Sequence, residues 1–448
     1  MFLTITIISQ SPWDSLWLYR TGRTNSDELV RLRIDSEGNI IATGHAFSIY
    51  TSYDLMVVKV DSSGNLLWER TFDGPGDDTD YSHAITIDSS GNYVITGPSK
   101  SFSITSGFDI WILRLDSGTG DTLWTKALIW SDDDISTDLL TLPDGNILLT
   151  GYIFSFDGTA DAILIKLDIT DGDTLKFIRY PSAGYDDRIM AMAMDPDGNL
   201  VLAGSRRDSS GQYDGLIMKV DSSGSIIWTV FPGGSGDDYI RDVMVDEGGF
   251  YVLTGHTTSA SDSFDVWIMK VDPSDGTILW SRTPGTIYDD YSYSIFQDSQ
   301  DHHIVSGYTD DPSLPGTDAL FYMLNSGTGS VVDSAIVNIE GDDIIRDGAM
   351  TPQGNFVFAG LISYPDDGMI IKTRGTPIAG QREVAKENYL IPAAGGFIVL
   401  KDTRIKVFQS TGKLIMEGKF TEGQRVRLRS EIYLLQVDGG PIRKLIAY

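Results

Sequence analysis

Seven aspartates recur along the chain at intervals of 51 to 54 residues, each at the start of a short apolar run: Asp27, Asp80, Asp134, Asp187, Asp238, Asp290 and Asp343. Carboxylate oxygens are the preferred ligands of hard cations such as Ca²⁺. If these runs are the innermost strands of a closed ring, the carboxylates surround one mouth of its channel and repel one another. The spacing therefore predicts a Ca²⁺ site at that mouth or, alternatively, aspartates that each cap their own loop by accepting backbone N–H bonds.

A second set of candidate residues lies in the longer segments between other apolar runs. These segments carry aromatic side chains and one basic pair, Arg206–Arg207. Exposed loops on a rigid scaffold are the usual place for binding residues, and aromatic rings supply contact area there. We therefore expect ligand contacts from Tyr53, Phe108, Phe156, Arg206, Tyr213, Phe264 and Tyr308.

Catalytic motifs are absent from the sequence. It contains no G-x-S-x-G, no H-E-x-x-H and no P-loop, so no catalytic residue is assigned. Carboxylate pairs occur throughout the chain, and none can be selected as a glycosidase pair. A binding module is the function that we expect. The alternatives are a polysaccharide-active hydrolase or lyase that uses aspartates at the channel mouth, and a purely structural surface protein.

The elements that position these residues belong to an internal repeat. One phrase, as in Asp88–Gly97 (DSSGNYVITG), returns seven times, and its last glycines are Gly44, Gly97, Gly151, Gly204, Gly255, Gly307 and Gly360. Each register holds four short runs rich in β-branched and aromatic residues, separated by turn residues. Four-stranded sheets repeated seven times in about 360 residues indicate an all-β fold, a seven-bladed β-propeller.

The phase of the repeat predicts how the ring closes. The last register has only three strands, and the missing fourth stands at the other end of the chain as Ser15–Thr21. We therefore expect the N-terminal strand to complete the last blade. Tryptophans of the fourth strand are expected to fill the wedges between blades: Trp17, Trp68, Trp124, Trp228 and Trp280, with Lys176 and Asp333 as the exceptions.

A basic residue recurs in the third strand of six registers, usually two positions before an aspartate. Side chains two residues apart lie on the same face of a strand. We therefore expect the basic residue to neutralise that aspartate wherever both are present; the basic residues are Lys59, Arg114, Lys166, Lys219, Lys270 and Lys372, and only Lys372 has no aspartate two positions later.

Charge and composition exclude several partners. The formal net charge of -29 repels a phosphate backbone, so nucleic acid is not an expected partner. No apolar stretch is long enough to span a bilayer, and the absence of cysteine excludes disulfides and thiolate metal sites. We expect a monomer without a membrane span, and Ca²⁺ is the one cofactor to consider.

The chain divides into four parts on these criteria. Residues 1–14 are a signal-peptide remnant or a tail, and 15–374 form the propeller. From residue 375 onward the chain is net basic, and residues 375–390 are a linker. Residues 391–448 contain several short strands, enough for a small β-sandwich.

Two resemblances follow from these motifs. Residues 15–374 resemble bacterial SBBP-type and delta-60-type propeller repeats, which implies an extracytoplasmic propeller. Ile405–Lys413, Val426–Leu434 and Ile442–Tyr448 resemble the type IX secretion (type A) C-terminal sorting domain, with Glu431 where that family has glycine. The resemblance implies export by the secretion machinery to the outer cell surface or the medium. The alternative is a small accessory β-domain with no targeting role. The partner expected on the long-loop face is an unknown protein or carbohydrate.

Overall fold

The computed structural model describes residues 11–376 apart from 23–25, 49–51, 104–106, 131–132, 156–157, 183, 262, 313–315, 340 and 364–365. Beyond residue 376 it describes the backbone of seven strands. The chain divides into two compact units, residues 1–378 and residues 379–448. Among the described residues, no helix has the length and hydrophobicity that a membrane span requires.

The first unit is a seven-bladed β-propeller, as the repeat predicts. The chain enters through β1 (Ser15–Arg20). Blade 1 contains β2 (Asp27–Ile34), β3 (Ile40–Ser48), β4 (Ser52–Val60) and β5 (Leu66–Phe72). Blade 2 contains β6 (Ala84–Ile87), β7 (Tyr93–Ser99), β8 (Asp109–Leu115) and β9 (Thr122–Leu128). Blade 3 contains β10 (Asp134–Thr141), β11 (Ile147–Phe154), β12 (Ala160–Leu167) and β13 (Thr174–Tyr180).

The remaining blades repeat this pattern. Blade 4 contains β14 (Asp186–Met194), β15 (Leu200–Arg207), β16 (Tyr213–Val220) and β17 (Ile226–Val230). Blade 5 contains β18 (Asp238–Val245), β19 (Tyr251–Thr257), β20 (Asp265–Val271) and β21 (Ile278–Arg282). Blade 6 contains β22 (Asp290–Gln297), β23 (His302–Thr309), β24 (Asp318–Asn325) and β25 (Val331–Val337). Blade 7 contains β26 (Asp343–Met350), β27 (Phe356–Ile362), β28 (Asp367–Thr373) and β1.

The N-terminal strand closes the ring. β1 pairs antiparallel with β28, with Leu18 opposite Ile371, so blade 7 has the strand order β1-β28-β27-β26. This confirms the predicted closure. The first strands of neighbouring blades contact one another around the ring and line the central channel. In every blade the first strand is therefore innermost and the fourth is the outer edge.

The second unit contains β29 (Leu390–Ala393), β30 (Gly396–Val399), β31 (Thr403–Gln409), β32 (Leu414–Phe420), β33 (Arg425–Arg427), β34 (Ile432–Val437) and β35 (Arg443–Ile446). They form a three-stranded sheet, β29-β30-β33, and a four-stranded sheet, β32-β31-β34-β35. The small all-β second unit agrees with the fold class that the sequence predicts.

Hydrophobic clusters lie at the seven junctions between neighbouring blades, where each blade buries the face that it cannot bury alone. The predicted tryptophans pack in five of them. At the junction of blades 7 and 1, the indole of Trp17 covers Gly64, in the turn between the third and fourth strands of blade 1. An added Cβ at Gly64 would lie 2.7 Å from the ring. The Trp17 Nε1–H donates to the Ser62 carbonyl 3.3 Å away, and Trp68, Trp124 and Trp228 each repeat this bond to the next blade.

The basic residues of the third strands do not pair as predicted. Lys59 Nζ lies 3.0 Å from Asp35, in the turn between the first two strands of its blade, and 2.9 Å from the Ser117 carbonyl of the next blade. Asp61, two residues after Lys59, accepts the N–H groups of its own turn instead. Lys219 and Lys270 lie on the corresponding aspartates Asp195 and Asp246. The prediction was wrong because these lysines pair with a turn aspartate whose side chain is largely buried, whereas the aspartate on the same strand is engaged by the N–H groups of its own turn.

Candidate functional site

A β-bulge recurs in the innermost strands. In β18 the pairing register with β19 shifts between Ile240 and Asp242, which leaves Arg241 as the extra residue. The bulge brings the Tyr239 carbonyl over the closing glycine of the repeat, because an added Cβ at Gly255 would lie 1.8 Å from that oxygen. Glycine is therefore required there for steric reasons, and the other closing glycines meet the equivalent carbonyl at 1.8 to 1.9 Å.

The residue three positions after each ring aspartate faces the channel. These seven residues line one cavity of about 350 Å³, and they differ in chemistry: Val30, His83, Thr137, Met190, Arg241, Tyr293 and Arg346. Glu28, Arg31, His45, Tyr81 and Ser82 complete the wall. The cavity is built from the first halves of the innermost strands, so it lies toward the face with the longer loops.

Two arginines of this wall have different environments. Arg346 Nε donates to Glu28 at 2.5 Å, and its guanidinium lies 4.6 Å from the centre of the Tyr293 ring. Arg241 lies 5.4 Å from the Tyr239 ring and 5.8 Å from the Tyr293 ring. Among the described residues, Arg241 has no hydrogen-bond or ion-pair partner, and its Nε is buried without one. A guanidinium held between two rings with free donors is suited to bind an anionic group.

A second charged layer lies deeper in the channel, around Arg31. Burial alone would lower the pKa of Arg31, but the carboxylates of Asp347, Asp242 and Asp138 raise it above its ordinary value. Its Nη1 lies 3.8 Å from Asp347. Burial raises the pKa of Asp242 to about 7, against the opposing effect of Arg31. Arg31 therefore has carboxylates close to it, whereas Arg241 has no ion-pair partner among the described residues.

Each carboxylate of this layer also joins its blade to the next one. Asp138 accepts the Met192 N–H at 2.9 Å, and Asp242 accepts the Ile295 N–H at 2.9 Å. Asp347 accepts the Leu32 N–H at 2.8 Å and so links blade 7 to blade 1. The three bonds hold the innermost strands in register around the channel.

The histidines of the cavity are neutral at pH 7. Burial lowers the pKa of His83 to about 4, and its Nδ1 lies 2.9 Å from the Ser136 carbonyl, which requires a donor there. Burial also lowers the pKa of His45, although Glu28 lies 3.7 Å away. The cavity therefore carries its positive charge on arginine alone.

Two aromatic clusters surround the cavity, and they bring together five of the predicted binding residues. Tyr53 and Phe108 lie 5.5 and 6.0 Å from Tyr81, measured between ring centres. Tyr213 lies 4.8 Å from Tyr239. Tyr308 stacks on Tyr291 at 4.9 Å, and Phe264 lies 5.2 Å from the same ring. Phe156, the sixth predicted aromatic residue, lies outside the described residues.

The seven ring aspartates are buried, with 0% to 2% of their surface exposed, and they are not among the residues that line the cavity. Asp134 accepts the Trp130 N–H at 2.7 Å, and Asp238 accepts the Gly234 N–H at 2.7 Å. In the same way, Asp290 accepts the Thr286 N–H and Asp343 accepts the Ile339 N–H. Asp80 accepts the Gly74 N–H. Asp27 accepts the Thr21 hydroxyl at 2.9 Å. These contacts are those of loop caps.

The negative charge of Asp187 is neutralised by a side chain instead. Arg206, which was predicted to bind a ligand, forms a two-point contact with it at 2.6 and 2.7 Å. The Arg206 guanidinium also lies 3.9 Å from the Phe231 ring. Within the described part of the chain, no group of three or more His, Cys, Asp or Glu side chains is placed to hold a metal ion. A Ca²⁺ site at the ring therefore stays a prediction.

The bulge residues, above all Arg241, Tyr293 and Arg346, were not among the residues predicted from the sequence. The predicted residues were those that recur in every register, and such residues stabilise the individual blade. The sequence does contain a signal for the bulge residues: one position of the register is occupied in turn by valine, histidine, threonine, methionine, arginine and tyrosine. Such a position has no common packing role, so it is where one site can be built from seven similar blades.

Comparison with known proteins agrees with the fold. Residues 196–226, in blade 4, match a family described as a β-propeller domain of unknown function, DUF5122. An uncharacterized WD repeat-containing protein of Acanthamoeba polyphaga mimivirus is 25% identical over 31% of this chain. The aligned region is 13% of the length of that protein.

Solved structures are similar at low sequence identity. The Dos1 propeller has a TM-score of 0.50 at 12% identity, and the alignment covers 81% of this chain and 95% of that one. PorZ, a surface component of the type IX secretion system of Porphyromonas gingivalis, has a TM-score of 0.47 at 12% identity, over 95% of this chain and 60% of that one. At such identity the similarity to the Dos1 propeller shows a propeller fold and no function.

Proposed function

We propose that this chain is a protein-interaction module that binds its partner at the mouth of the propeller channel, through a carboxylate inserted beside Arg241. The observation that carries the proposal is the pairing state of that arginine. Its guanidinium lies between Tyr239 and Tyr293 in a cavity of about 350 Å³, without a partner among the described residues. A carboxylate supplies the two acceptors that its fork of donors requires.

The composition of the mouth favours a protein over a carbohydrate partner. Arginine and tyrosine are the residue types that most often dominate protein interfaces. Here Arg241 and Arg346 stand among the rings of Tyr81, Tyr239 and Tyr293. A tyrosine side chain has only two χ angles to fix on binding, so a preformed cluster of tyrosine rings loses little conformational entropy when a partner binds.

The net charge of the chain restricts the partner further. With -29 overall, the protein repels a strongly acidic molecule at long range and attracts a basic one. A partner that satisfies both the negative net charge and the cationic Arg241 is a basic or neutral protein with one acidic side chain, or a C-terminal carboxylate, that enters the mouth. That carboxylate then determines the position of the partner on the propeller, and the negative field of the chain increases the rate of association.

The site of action that we propose is outside the cytoplasm. The support is the resemblance of Ile405–Lys413, Val426–Leu434 and Ile442–Tyr448 to a type IX sorting domain. β31 and β32 form a hairpin that contains the first of these segments, and β35 lies within the third. The test is surface labelling, in a host with type IX secretion, of the full chain and of a chain that ends at residue 378. Loss of surface label in the shortened chain is expected; equal labelling of both would overturn the proposed export.

A peptide display library selected on the full chain tests the proposed partner class. Peptides with an Asp, a Glu or a free C-terminus are expected to be enriched on the wild type and not on Arg241→Gln. Enrichment without such carboxylates would contradict the proposal. A glycan array and a reducing-end assay on the same protein separate the alternatives: glycan binding indicates a carbohydrate partner, and bond cleavage indicates a polysaccharide-active hydrolase or lyase.

A further inference from the structure

The junction between blades 3 and 4 differs from the other six. Each of the other junction clusters includes a tryptophan: Trp17, Trp68, Trp124, Trp228, Trp280 or Trp13. The cluster at blades 3 and 4 includes no tryptophan among the described residues, and Lys176 occupies the position of that ring on the fourth strand. Its Nζ donates to the Ser223 carbonyl at 2.6 Å, in the turn that corresponds to the one receiving the indole N–H bond at four other junctions.

The absence of the ring leaves a cavity. A space of about 310 Å³ lies where blades 3 and 4 meet, and its walls are largely aliphatic: Leu142, Leu148, Leu164, Ile178, Met194 and Leu200. Leu148, Leu164 and Leu200 are buried, with at most 7% of their surface exposed. Lys166 and Lys176 stand at the rim, and Lys166 pairs with Asp144 at 2.5 Å.

Two further substitutions make the same junction apolar. The position of Leu142 is an aspartate in five other blades, as in Asp35 and Asp195. At two junctions that aspartate accepts a tyrosine hydroxyl of the next blade, Tyr93 to Asp35 at 3.1 Å and Tyr251 to Asp195 at 2.8 Å. At the junction of blades 3 and 4 both members of the pair are leucines, Leu142 and Leu200. The junction of blades 3 and 4 therefore has neither the aspartate–tyrosine pair nor the tryptophan of the fourth strand.

From these three changes we infer that the cavity between blades 3 and 4 is a binding site for a small aromatic ligand of the size of indole. A wall of leucine, isoleucine and methionine gives water too few partners, whereas an aliphatic cavity of about 150 Å³ already binds benzene. Ile178 covers Gly224, the turn glycine that an indole ring covers at other junctions, and the space of about 310 Å³ beside it has room for a two-ring system. The ammonium of Lys176 at the rim adds a favourable contact with the face of the ring.

The test is a titration of the full chain with 5-fluoroindole, followed by ¹⁹F NMR and by the melting temperature. The wild type is expected to broaden the fluorine signal and to melt several degrees higher in the presence of the ligand. Lys176→Trp fills the cavity with the ring of the other junctions, so it is expected to bind at least tenfold more weakly and to melt higher without ligand. Phe177→Trp, at the next residue of the same strand, where the side chain packs on Trp130 and does not line the cavity, is the matched control and is expected to bind as the wild type does.

A second variant covers the case in which Lys176→Trp does not fold. Leu142→Asp restores the polar wall of the other blades, and it is expected to weaken 5-fluoroindole binding at least tenfold while circular dichroism stays that of a folded β-protein. Absence of binding to the wild type, or equal binding by the folded Lys176 and Leu142 variants, would overturn the inference. Neither result bears on the channel mouth, because none of these residues lines it.

Discussion

The indole Nε1–H of Trp13 donates a hydrogen bond to the carboxylate of Asp333, 3.1 Å away, and so joins blade 6 to the start of the chain. At most junctions a tryptophan or lysine of the fourth strand donates to a turn carbonyl of the next blade. Blade 7 has no such turn, because its fourth strand comes from the other end of the chain. The donor and acceptor are therefore exchanged: the fourth strand supplies Asp333, and the N-terminal segment supplies the ring.

Replacing Trp13 tests this junction. Trp13 is 7% exposed and its ring stacks on Phe321 at 5.1 Å between ring centres. Trp13→Ala is expected to lower the free energy of unfolding by about 3 to 5 kcal/mol, because it removes a buried ring. Trp13→Phe keeps the stacking and loses the bond to Asp333, so a loss of about 1 to 2 kcal/mol is expected. Urea unfolding of the two variants measures both values, and equal stability of Trp13→Ala and the wild type would show that the segment does not close the ring.

Removing the closing strand is a stronger change of the same kind. A chain that lacks residues 1–22 loses β1, and blade 7 then exposes the edge of β28. We expect a fall of more than 10 °C in the melting temperature, since several kcal/mol of pairing and burial are lost together. Calorimetry of the shortened and full chains checks this, and coincident melting curves would refute the closure.

The bulge beside Arg241 depends on Gly255. An alanine Cβ at that position would lie 1.8 Å from the Tyr239 carbonyl oxygen, so the two innermost strands of blade 5 would have to separate. Gly255→Ala is expected to cost about 3 kcal/mol of stability and to displace Arg241. The control is Gly118→Ala, where the nearest atom to the added Cβ is a carboxylate oxygen of Asp116 at 3.4 Å. Urea unfolding measures the difference, and a Gly255 variant as stable as the Gly118 control would disprove the steric explanation.

The channel carboxylates predict a pH dependence of stability. Burial raises the pKa of Asp242 to about 7, whereas an unfolded aspartate titrates near 4. Between these values the folded chain holds a proton that the unfolded chain has released, so the contribution of Asp242 to stability falls as pH rises from 4 to 7. Asp242→Asn removes this pH-dependent contribution to the free energy of unfolding. The variant is expected to match the wild type at pH 4.5 and to be more stable at pH 8, by on the order of 2 kcal/mol.

Urea unfolding at pH 4.5, 6 and 8 measures this difference. Asp121→Asn, at an exposed surface position, is the matched control and is expected to follow the wild type at every pH. A constant difference between Asp242→Asn and the wild type across the three pH values would contradict the raised pKa.

The fold could be predicted from the sequence because the blades repeat. The closing glycines, the turn aspartates and the tryptophans are each required by the same contact in many blades, so their spacing alone indicated seven sheets and the closure by β1. Trp13 could not be found in this way, since it serves a single junction and has no counterpart in the repeat. The channel mouth was missed for the same reason: Arg241 and Tyr293 occupy a position whose residue changes from blade to blade.

The ring aspartates show a second limit of the sequence. The pattern of Asp134 and Asp238 placed them correctly at the start of the innermost strands. Whether a carboxylate faces a channel or its own loop depends on the course of the preceding loop, which the spacing does not contain. In the structure the N–H groups of Trp130 and Gly234 turn toward these side chains. Arg206 likewise binds Asp187, although the sequence predicted a ligand-binding role for the first and a metal-binding role for the second.

The central claim is that Arg241 receives a carboxylate of a protein partner, and calorimetric titration of a display-selected acidic peptide tests it most directly. Arg241→Gln is expected to weaken binding by about 10- to 100-fold, the loss typical of one charge-assisted hydrogen-bond pair. Arg207→Gln, which removes an exposed arginine beside Tyr213, is expected to leave the affinity within about twofold. Equal affinity of the wild type and Arg241→Gln would contradict the account.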